Sequence, residues 1–354
     1  MQLTQDILIR KIRRSRIGKV DFSSLEFGKY ISDHMLVCDY YDGEWQTPQI
    51  LPFANLSLSP ATLALHYGQS VFEGMKAFRM KDGSINIFRI DKHYDRFVKS
   101  LQRMCMQVPP KEIFAEGLRK LVTLDNAWVP DENGSSLYIR PFVFANEAKF
   151  GVKVADEYRF IIFSGPVGPY YAKQLRVKVE REYIRAAKGG AGYAKCAGNY
   201  GGAFYPTQLA NEKGFDQVLW TDAKENKFIE ESGTMNVMFV INGKLVTPGL
   251  SDSILDGVTR DSLIQLAKDK GVDVEERRIS TDELINAFRN NSITEAFGAG
   301  TAAVVAPINL IHIDGVDYKL PLYTINSLMN QLKQQLEDIR TGISADVYNW
   351  NNKI

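Results

Sequence analysis

The 354 residues suffice for one large domain or two ordinary ones with a substantial core. Hydrophobic residues make up 45% and charged residues 24%, the ordinary range of a folded soluble domain. The formal net charge of +1 leaves no global field that would favour nucleic acid or an acidic surface, so a small neutral or zwitterionic ligand is not opposed.

No apolar run approaches the ~18 residues of a membrane span. The first segment carries Arg10, Lys11, Arg13, Arg14, Arg16 and Lys19, with Leu8, Ile9, Ile12 and Ile17 interleaved. That interleaving favours an edge strand with a solvated face over a transit peptide. Three cysteines, Cys38, Cys105 and Cys196, are odd in number, widely spaced and without a CxxC. They argue against a disulfide framework or a zinc site and for a reducing compartment, so a cytoplasmic location is expected. The histidines His34, His66, His93 and His312 form no ligand-type cluster, and no metal is expected.

In chain order, residues 34–40, 70–80 and 85–90 read as strands, with a hairpin turn at Lys81-Asp82-Gly83. Asp91 reads as the N-cap of a helix to about Met106, followed by a helix over 111–124. Strands are expected at 136–144 and 158–164. Gly165-Pro166-Val167-Gly168-Pro169-Tyr170-Tyr171 holds two prolines and two glycines in five residues and reads as a connector between domains. The expected division is a domain over 1–165, a connector over 166–175 and a domain over 176–354. The second half opens with a strand at 175–181 and a small-residue stretch, GGAGYAKCAGNYGG (189–202), leading into a helix to about Asn211. Strands at 216–222, 236–241, 244–247, 272–279 and 293–298 alternate with helices near 257–270, 280–290 and 322–341. The pattern is mixed α/β in two lobes, without the regular alternation of a doubly wound sheet or a TIM barrel.

Four segments carry chemistry when taken together. Lys195 is an isolated cation among Gly, Ala and Tyr, a setting in which desolvation frees an amine to attack a carbonyl. Glu231 opens a short polar turn before an apolar strand. A carboxylate there can hold a proton on a cofactor's ring nitrogen. Leu255-Asp256-Gly257-Val258-Thr259-Arg260 opens a helix whose unpaired N–H groups suit a phosphate. Phe297-Gly298-Ala299-Gly300-Thr301-Ala302 runs from strand into a loop that can offer N–H groups and a hydroxyl to an anion.

The order and spacing of these segments resemble the fold-type IV pyridoxal 5'-phosphate (PLP) enzymes, the class IV aminotransferases. Glu231, Asn236, Thr247, Leu255, Gly257, Val258 and Arg260 fit that family's extended signature. One position departs from it: Met238 stands where an aromatic residue is usual, with Phe239 next to it. Within the family the chain is most similar to branched-chain amino acid aminotransferases of the longer, eukaryote-like type, from about Leu25 to Leu336. Phe27-Gly28, Asp33-His34-Met35, Phe72-Glu73-Gly74-Met75-Lys76-Ala77-Phe78, Asp95-Arg96, Tyr138-Ile139-Arg140-Pro141, Gly165 to Tyr170 and Ala197-Gly198-Asn199-Tyr200-Gly201 fall in the family's order. Ala303 and Ala306 replace the CxxC redox switch of mammalian members, so that switch is not expected.

The resemblance implies two domains, a small N-terminal α/β one and a larger C-terminal mixed α/β one. It implies transamination between leucine, isoleucine or valine and 2-oxoglutarate by ping-pong half-reactions. Lys195 would form the Schiff base and shuttle the proton, Glu231 would pair with the ring nitrogen, and Tyr200 would bond the ring's phenolic oxygen. Arg96, Val258, Thr259 and Thr301 would hold the phosphate, with Arg185 near it. Phe27, Tyr67, Phe72, Tyr138, Tyr170, Thr234 and Ala302 would line the substrate side, and Arg140 would meet glutamate's side-chain carboxylate. Phe150 and Val152 would reach in from the other subunit of a homodimer. The rivals are a D-amino acid transaminase or aminodeoxychorismate lyase, which would keep Lys195 and Glu231 but change the pocket, and a non-catalytic PLP-binding protein.

Overall fold

In the computed structural model, residues 6–168 and 173–354 are described. Apolar, β-branched and aromatic runs dominate the first half, and they build a mixed sheet. Its elements are β1 (Leu8–Ile9), β2 (His34–Tyr41), β3 (Glu44–Trp45), β4 (Gln49–Pro52), α1 (Leu63–Tyr67), β5 (Ser70–Phe72), β6 (Met75–Arg79), β7 (Ile85–Phe88), α2 (Ile90–Arg103), α3 (Lys111–Leu124), β8 (Ser136–Ala145) and β9 (Tyr158–Val167). The strand order is β1-β4-β2-β9-β8-β6-β7, closed at that edge by the C-terminal strand Asn351–Lys353, with β3 on β2 and β5 on β8. This first compact unit comprises Met1–Tyr170, Ala194–Ala197 and Ile339–Ile354.

Phe97 of α2, Phe114 of α3 and Phe160 of β9 form its aromatic centre, with ring centroids 5.7, 6.0 and 6.2 Å apart. α3 lies so close on β2 that a Cβ at Gly117 would come within 2.4 Å of Leu36. At the start only Leu8–Ile9 join the sheet, as β1 in parallel with β4 at an edge, both exposed, while the basic residues from Arg10 to Lys19 follow outside any strand.

The strand expected over 70–80 is interrupted at Glu73-Gly74, although both halves pair with β8 in one register. Pro141 faces the interruption. It accepts from Glu73 N at 2.7 Å but has no N–H to return, so the ladder lapses there. α2 begins at Ile90 and is capped by Arg89 in the left-handed region (φ 53°), which puts Asp91 inside the first turn instead of at the cap. Gly165, Pro166 and Val167, expected in a connector, are the last rungs of β9, opposite Tyr138, Leu137 and Ser136. Only a glycine fits at 165, where a Cβ would stand 2.1 Å from the Tyr30 carbonyl oxygen. Of the rest of that motif, Gly168 follows β9 outside the strand, and Pro169, Tyr170 and Tyr171 lie outside the described residues.

The second unit, Tyr171–Tyr193 with Gly198–Asp338, is also mixed. It contains β10 (Leu175–Glu180), α4 (Gly198–Gly201), α5 (Phe204–Glu212), β11 (Gln217–Thr221), β12 (Ile229–Ser232), β13 (Met235–Ile241), β14 (Lys244–Thr247), α6 (Val258–Asp269), β15 (Val274–Glu276), α7 (Thr281–Arg289), β16 (Ile293–Gly300), β17 (Val304–Ile313), β18 (Val316–Lys319) and most of α8 (Leu328–Arg340). The strand order is β12-β11-β10-β17-β16-β13-β14-β15, and β12 also pairs with β13. That extra pairing closes β13, β12, β11, β10, β17 and β16 into a ring, which removes their free edges. Val177, Leu219, Val237, Phe239, Ala296, Ala306 and Ile308 pack together in the core of this unit.

Residues 229–232, 304–313 and 316–319 are strands that the sequence pattern did not mark. The helix expected from 322 starts only at Leu328, because the Glu295 carboxylate accepts from Leu328 N (2.6 Å) and Met329 N (2.8 Å) and fixes the first turn there. Among the described residues, no helix is long and apolar enough to cross a membrane. No group of three or more His, Cys, Asp or Glu among them could hold a metal ion.

Candidate active site

The first unit fixes Lys195 by its backbone. Lys195 O accepts from Phe72 N and Ala197 N donates to Ser70 O, each at 3.0 Å, so the Lys195 segment lies along β5 like a further strand. From the other side, Lys195 N donates to Ser100 Oγ of α2 at 2.9 Å. The side chain is half-buried, and its Nζ stands 4.7 Å from the centre of the Phe72 ring. The Arg140 guanidinium stands over the same ring at 4.7 Å. Arg140 Nη2 donates to the Tyr138 hydroxyl at 2.9 Å, and Phe27 packs edge-on against Tyr138 at 4.9 Å. Arg140 Nε is buried and has no hydrogen-bond partner. The unit thus brings Lys195, Phe72, Arg140, Tyr138 and Phe27 together: an amine, an aromatic wall and a cation with an unsatisfied donor.

A neighbouring constriction preserves this arrangement. A Cβ at Gly74 would stand 2.1 Å from the Tyr138 hydroxyl oxygen, so any larger residue would push the tyrosine off Arg140.

The second unit carries a buried carboxylate and a glycine-capped helix start. Glu231 on β12 is 3% exposed. It accepts from Leu255 N at 2.8 Å and from Asn236 Nδ2 at 3.3 Å, and it pairs with Arg185 Nε at 3.1 Å. Asn236 Nδ2 also donates to Leu255 O at 2.9 Å, tying β13 to the segment before α6. Gly257 caps α6, and a Cβ there would stand 1.9 Å from Asn236 Oδ1. The N-terminal turn of α6, with Val258 and Thr259 buried, therefore approaches β13 as closely as backbone allows. Arg185 Nη2 donates to Gly192 O at 3.3 Å and to Ser253 O. Beside it, burial pushes the Glu230 carboxyl up, against the bond it accepts from Ser253 Oγ. Thr301 and Ala302 are half-buried in the loop joining β16 to β17. That loop ends on Val304 at φ +60°, a strained conformation for a β-branched residue.

The family model described as amino-transferase class IV matches residues 70–311, a span that contains both sets of residues except Phe27. The chain belongs to the class IV aminotransferase family. Branched-chain-amino-acid transaminase 1 of Bacillus subtilis (strain 168) is 47% identical to it over 341 residues, covering 95% of this chain and 96% of that one. The branched-chain aminotransferase from Thermoproteus uzoniensis, solved with norvaline, superimposes with a TM-score of 0.75 at 25% identity, covering 90% of this chain and 99% of that one. The T.th. branched-chain amino acid aminotransferase, solved with N-(5'-phosphopyridoxyl)-L-glutamate, gives a TM-score of 0.72 at 26% identity, covering 89% and 97%. The mixed α/β architecture of this class IV aminotransferase is therefore that of fold-type IV.

Other residues singled out from sequence lie as follows. Arg96 is buried on α2, with Nε and Nη2 on Glu73 at 2.7 and 2.8 Å. Tyr67 ends α1 and is partly exposed, its ring near His66. Tyr200 is half-buried on α4, and Thr234 is exposed in the turn between β12 and β13. Tyr170 lies outside the described residues. Phe150 and Val152 stand 88% and 85% exposed on the loop between β8 and β9. Sequence reasoning did not single out Glu73 or Ser100, and it used Asn236 only as a signature match. A carboxylate inside the apolar run SVFEGMKAF was the available signal for Glu73.

Proposed function

We propose that the protein transfers amino groups between branched-chain L-amino acids (leucine, isoleucine, valine) and 2-oxoglutarate, with PLP as cofactor. The observation that carries the reading is the cluster of Lys195, Phe72, Tyr138 and Arg140, with the orphaned Arg140 Nε. An aromatic wall accepts a branched aliphatic side chain. A cation with an unused buried donor accepts a second carboxylate, which only glutamate and 2-oxoglutarate present. The relatives support this reading: the B. subtilis protein is called a branched-chain-amino-acid transaminase, and the T.th. enzyme holds a phosphopyridoxyl-glutamate conjugate.

The residues fit PLP on three counts: a half-buried amine at Lys195, a buried carboxylate at Glu231, and phosphate donors in buried Arg96 and the glycine-capped start of α6. When bound, PLP supplies the aldehyde that takes up the amino group and the ring that accepts the electron pair left at Cα. Lys195 Nζ removes the Cα proton and returns it on the other side of the transfer. Glu231, salt-bridged to Arg185, keeps a proton on the ring nitrogen. Tyr200 donates to the phenolic oxygen. Arg96, the Val258 and Thr259 amides and Thr301 bind the phosphate. Phe27, Tyr67, Phe72, Tyr138, Thr234 and Ala302 would line the substrate side. One methylene in such a wall is worth only ~1–3 kcal/mol, so the three branched substrates should be poorly separated.

Purified protein given PLP, L-leucine and 2-oxoglutarate should form glutamate and the branched 2-oxo acid in equal amounts. Turnover with D-alanine and none with leucine would assign the chain to the D-amino acid branch instead. Arg140→Met keeps bulk but removes the donors. It should slow the glutamate half-reaction by ~2 kcal/mol, about 30-fold, and the leucine half-reaction much less. Equal losses in single-turnover measurements would make Arg140 structural.

We further propose a homodimer in which the exposed Phe150 and Val152 complete the partner's substrate wall. Light scattering should find the active species dimeric, and full activity in a monomer would refute it. A cytoplasmic location accords with three unpaired cysteines, and fractionation of the source cells would test it.

A further inference from the structure

A second buried charge cluster of the first unit lies next to Lys195. Glu73, between β5 and β6, is 0% exposed, and His93 and Arg96 of α2 are 2% and 5% exposed. The Arg96 guanidinium meets the carboxylate side-on, with Nε 2.7 Å from Oε1 and Nη2 2.8 Å from Oε2. His93 Nδ1 lies 3.0 Å from Oε2, and Gly74 N donates to the same oxygen at 3.2 Å. Burial pushes the Glu73 carboxyl up, but the Arg96 charge and the Arg96 and His93 hydrogen bonds outweigh it and hold the group well below the usual carboxylate range. An ionised carboxylate only accepts, so His93 Nδ1 carries the hydrogen and donates it.

Such a cluster is a poor source of stability. Desolvating two charges costs about what their attraction returns, and apolar residues of similar volume commonly do as well. Two parallel bonds do fix the guanidinium plane and stop its rotation. The elements that hold this fork also hold Lys195. Phe72, the residue before Glu73, donates its N–H to Lys195 O at 3.0 Å. Ser100, one turn after Arg96, accepts from Lys195 N at 2.9 Å and donates Oγ–H to Arg96 O at 3.0 Å. One frame of β5 and α2 therefore sets both the lysine backbone and the arginine fork.

We infer that Glu73 is a positioning residue: braced by His93, its carboxylate aims Arg96 at the cofactor's phosphate within the frame that holds Lys195. The inference rests on Arg96 being a phosphate ligand, as proposed above.

The test is binding to the apoprotein, measured by calorimetry with PLP and with pyridoxal, which lacks the phosphate. The variants are Glu73→Gln, Glu73→Asp and Arg96→Met, each checked for folding by urea unfolding. Glu73→Asp keeps the buried charge but withdraws it by one methylene, so it serves if Glu73→Gln does not fold. Both Glu73 variants should lose PLP affinity by about tenfold or more, the worth of a charge-assisted bond, with pyridoxal affinity little changed. Arg96→Met should lose the preference for PLP at least as fully. Equal losses for PLP and pyridoxal in a folded Glu73 variant overturn the positioning role. So does an intact PLP preference in that variant when Arg96→Met has lost it, and Arg96 then remains the phosphate ligand. An intact preference in Arg96→Met overturns the phosphate reading and this inference together.

Discussion

Lys195→Ala is expected to reduce turnover by several orders of magnitude and to remove the absorbance of the lysine–cofactor Schiff base, while the protein stays folded. The loss is large because the amine has two tasks, attaching the cofactor and moving the Cα proton, and no neighbour can replace it. The fold should survive because the segment is held by backbone bonds to Phe72, Ser70 and Ser100, none of which uses the lysine side chain. Absorbance spectra and an unfolding curve on one preparation check both parts. A variant that keeps its absorbance and rate would remove Lys195 from the chemistry.

Glu231→Gln is expected to bind PLP and react slowly. A neutral amide holds a ring proton poorly, and losing a charge-assisted bond of ~1.5–3 kcal/mol corresponds to about 10- to 150-fold in rate if the loss falls on the transition state. The amide oxygen can still accept from Leu255 N, so the local backbone should hold. Arg185 would lose its charged partner in a buried setting. The apoprotein should therefore also unfold at lower urea, by roughly 1–3 kcal/mol. An unchanged rate in the folded variant would mean that Glu231 does not face the ring nitrogen.

The segments that compose the candidate site were legible in the sequence only together. A lone lysine among glycines, an acid opening a turn and a glycine before a helix are each ordinary alone, and it is their order and spacing that carried the reading. Glu73 was harder to find because its meaning depends on Arg96, twenty-three positions away, and on burial that no local pattern records. Ser100 is similar: as a serine on a helix it looks like a surface residue, yet it is fully buried between Arg96 and Lys195. Among the elements, the apolar strands β8 and β13 and the capped helix α7, whose Ser280 Oγ accepts from Glu283 N, fell where expected, whereas the equally apolar β17 was not marked. β12 did not, because its residues Ile229-Glu230-Glu231-Ser232 look like a polar surface turn. Their polar side chains are buried by the ring closure of the second unit and by Arg185, Asn236 and Ser253. Gly165–Val167 looked like a connector because glycine and proline usually break strands. Here the missing Cβ makes room for the Tyr30 carbonyl, and the strand continues.

The most direct test of the central claim is one half-reaction in isolation. PLP-loaded protein is mixed with L-leucine and no 2-oxo acid, and the cofactor absorbance is followed as the released acid is counted. The proposed function predicts that the absorbance of the aldehyde form disappears with release of one branched 2-oxo acid per subunit, and that added 2-oxoglutarate restores it with formation of one glutamate. An unchanged spectrum with leucine in a protein that has bound PLP would contradict it.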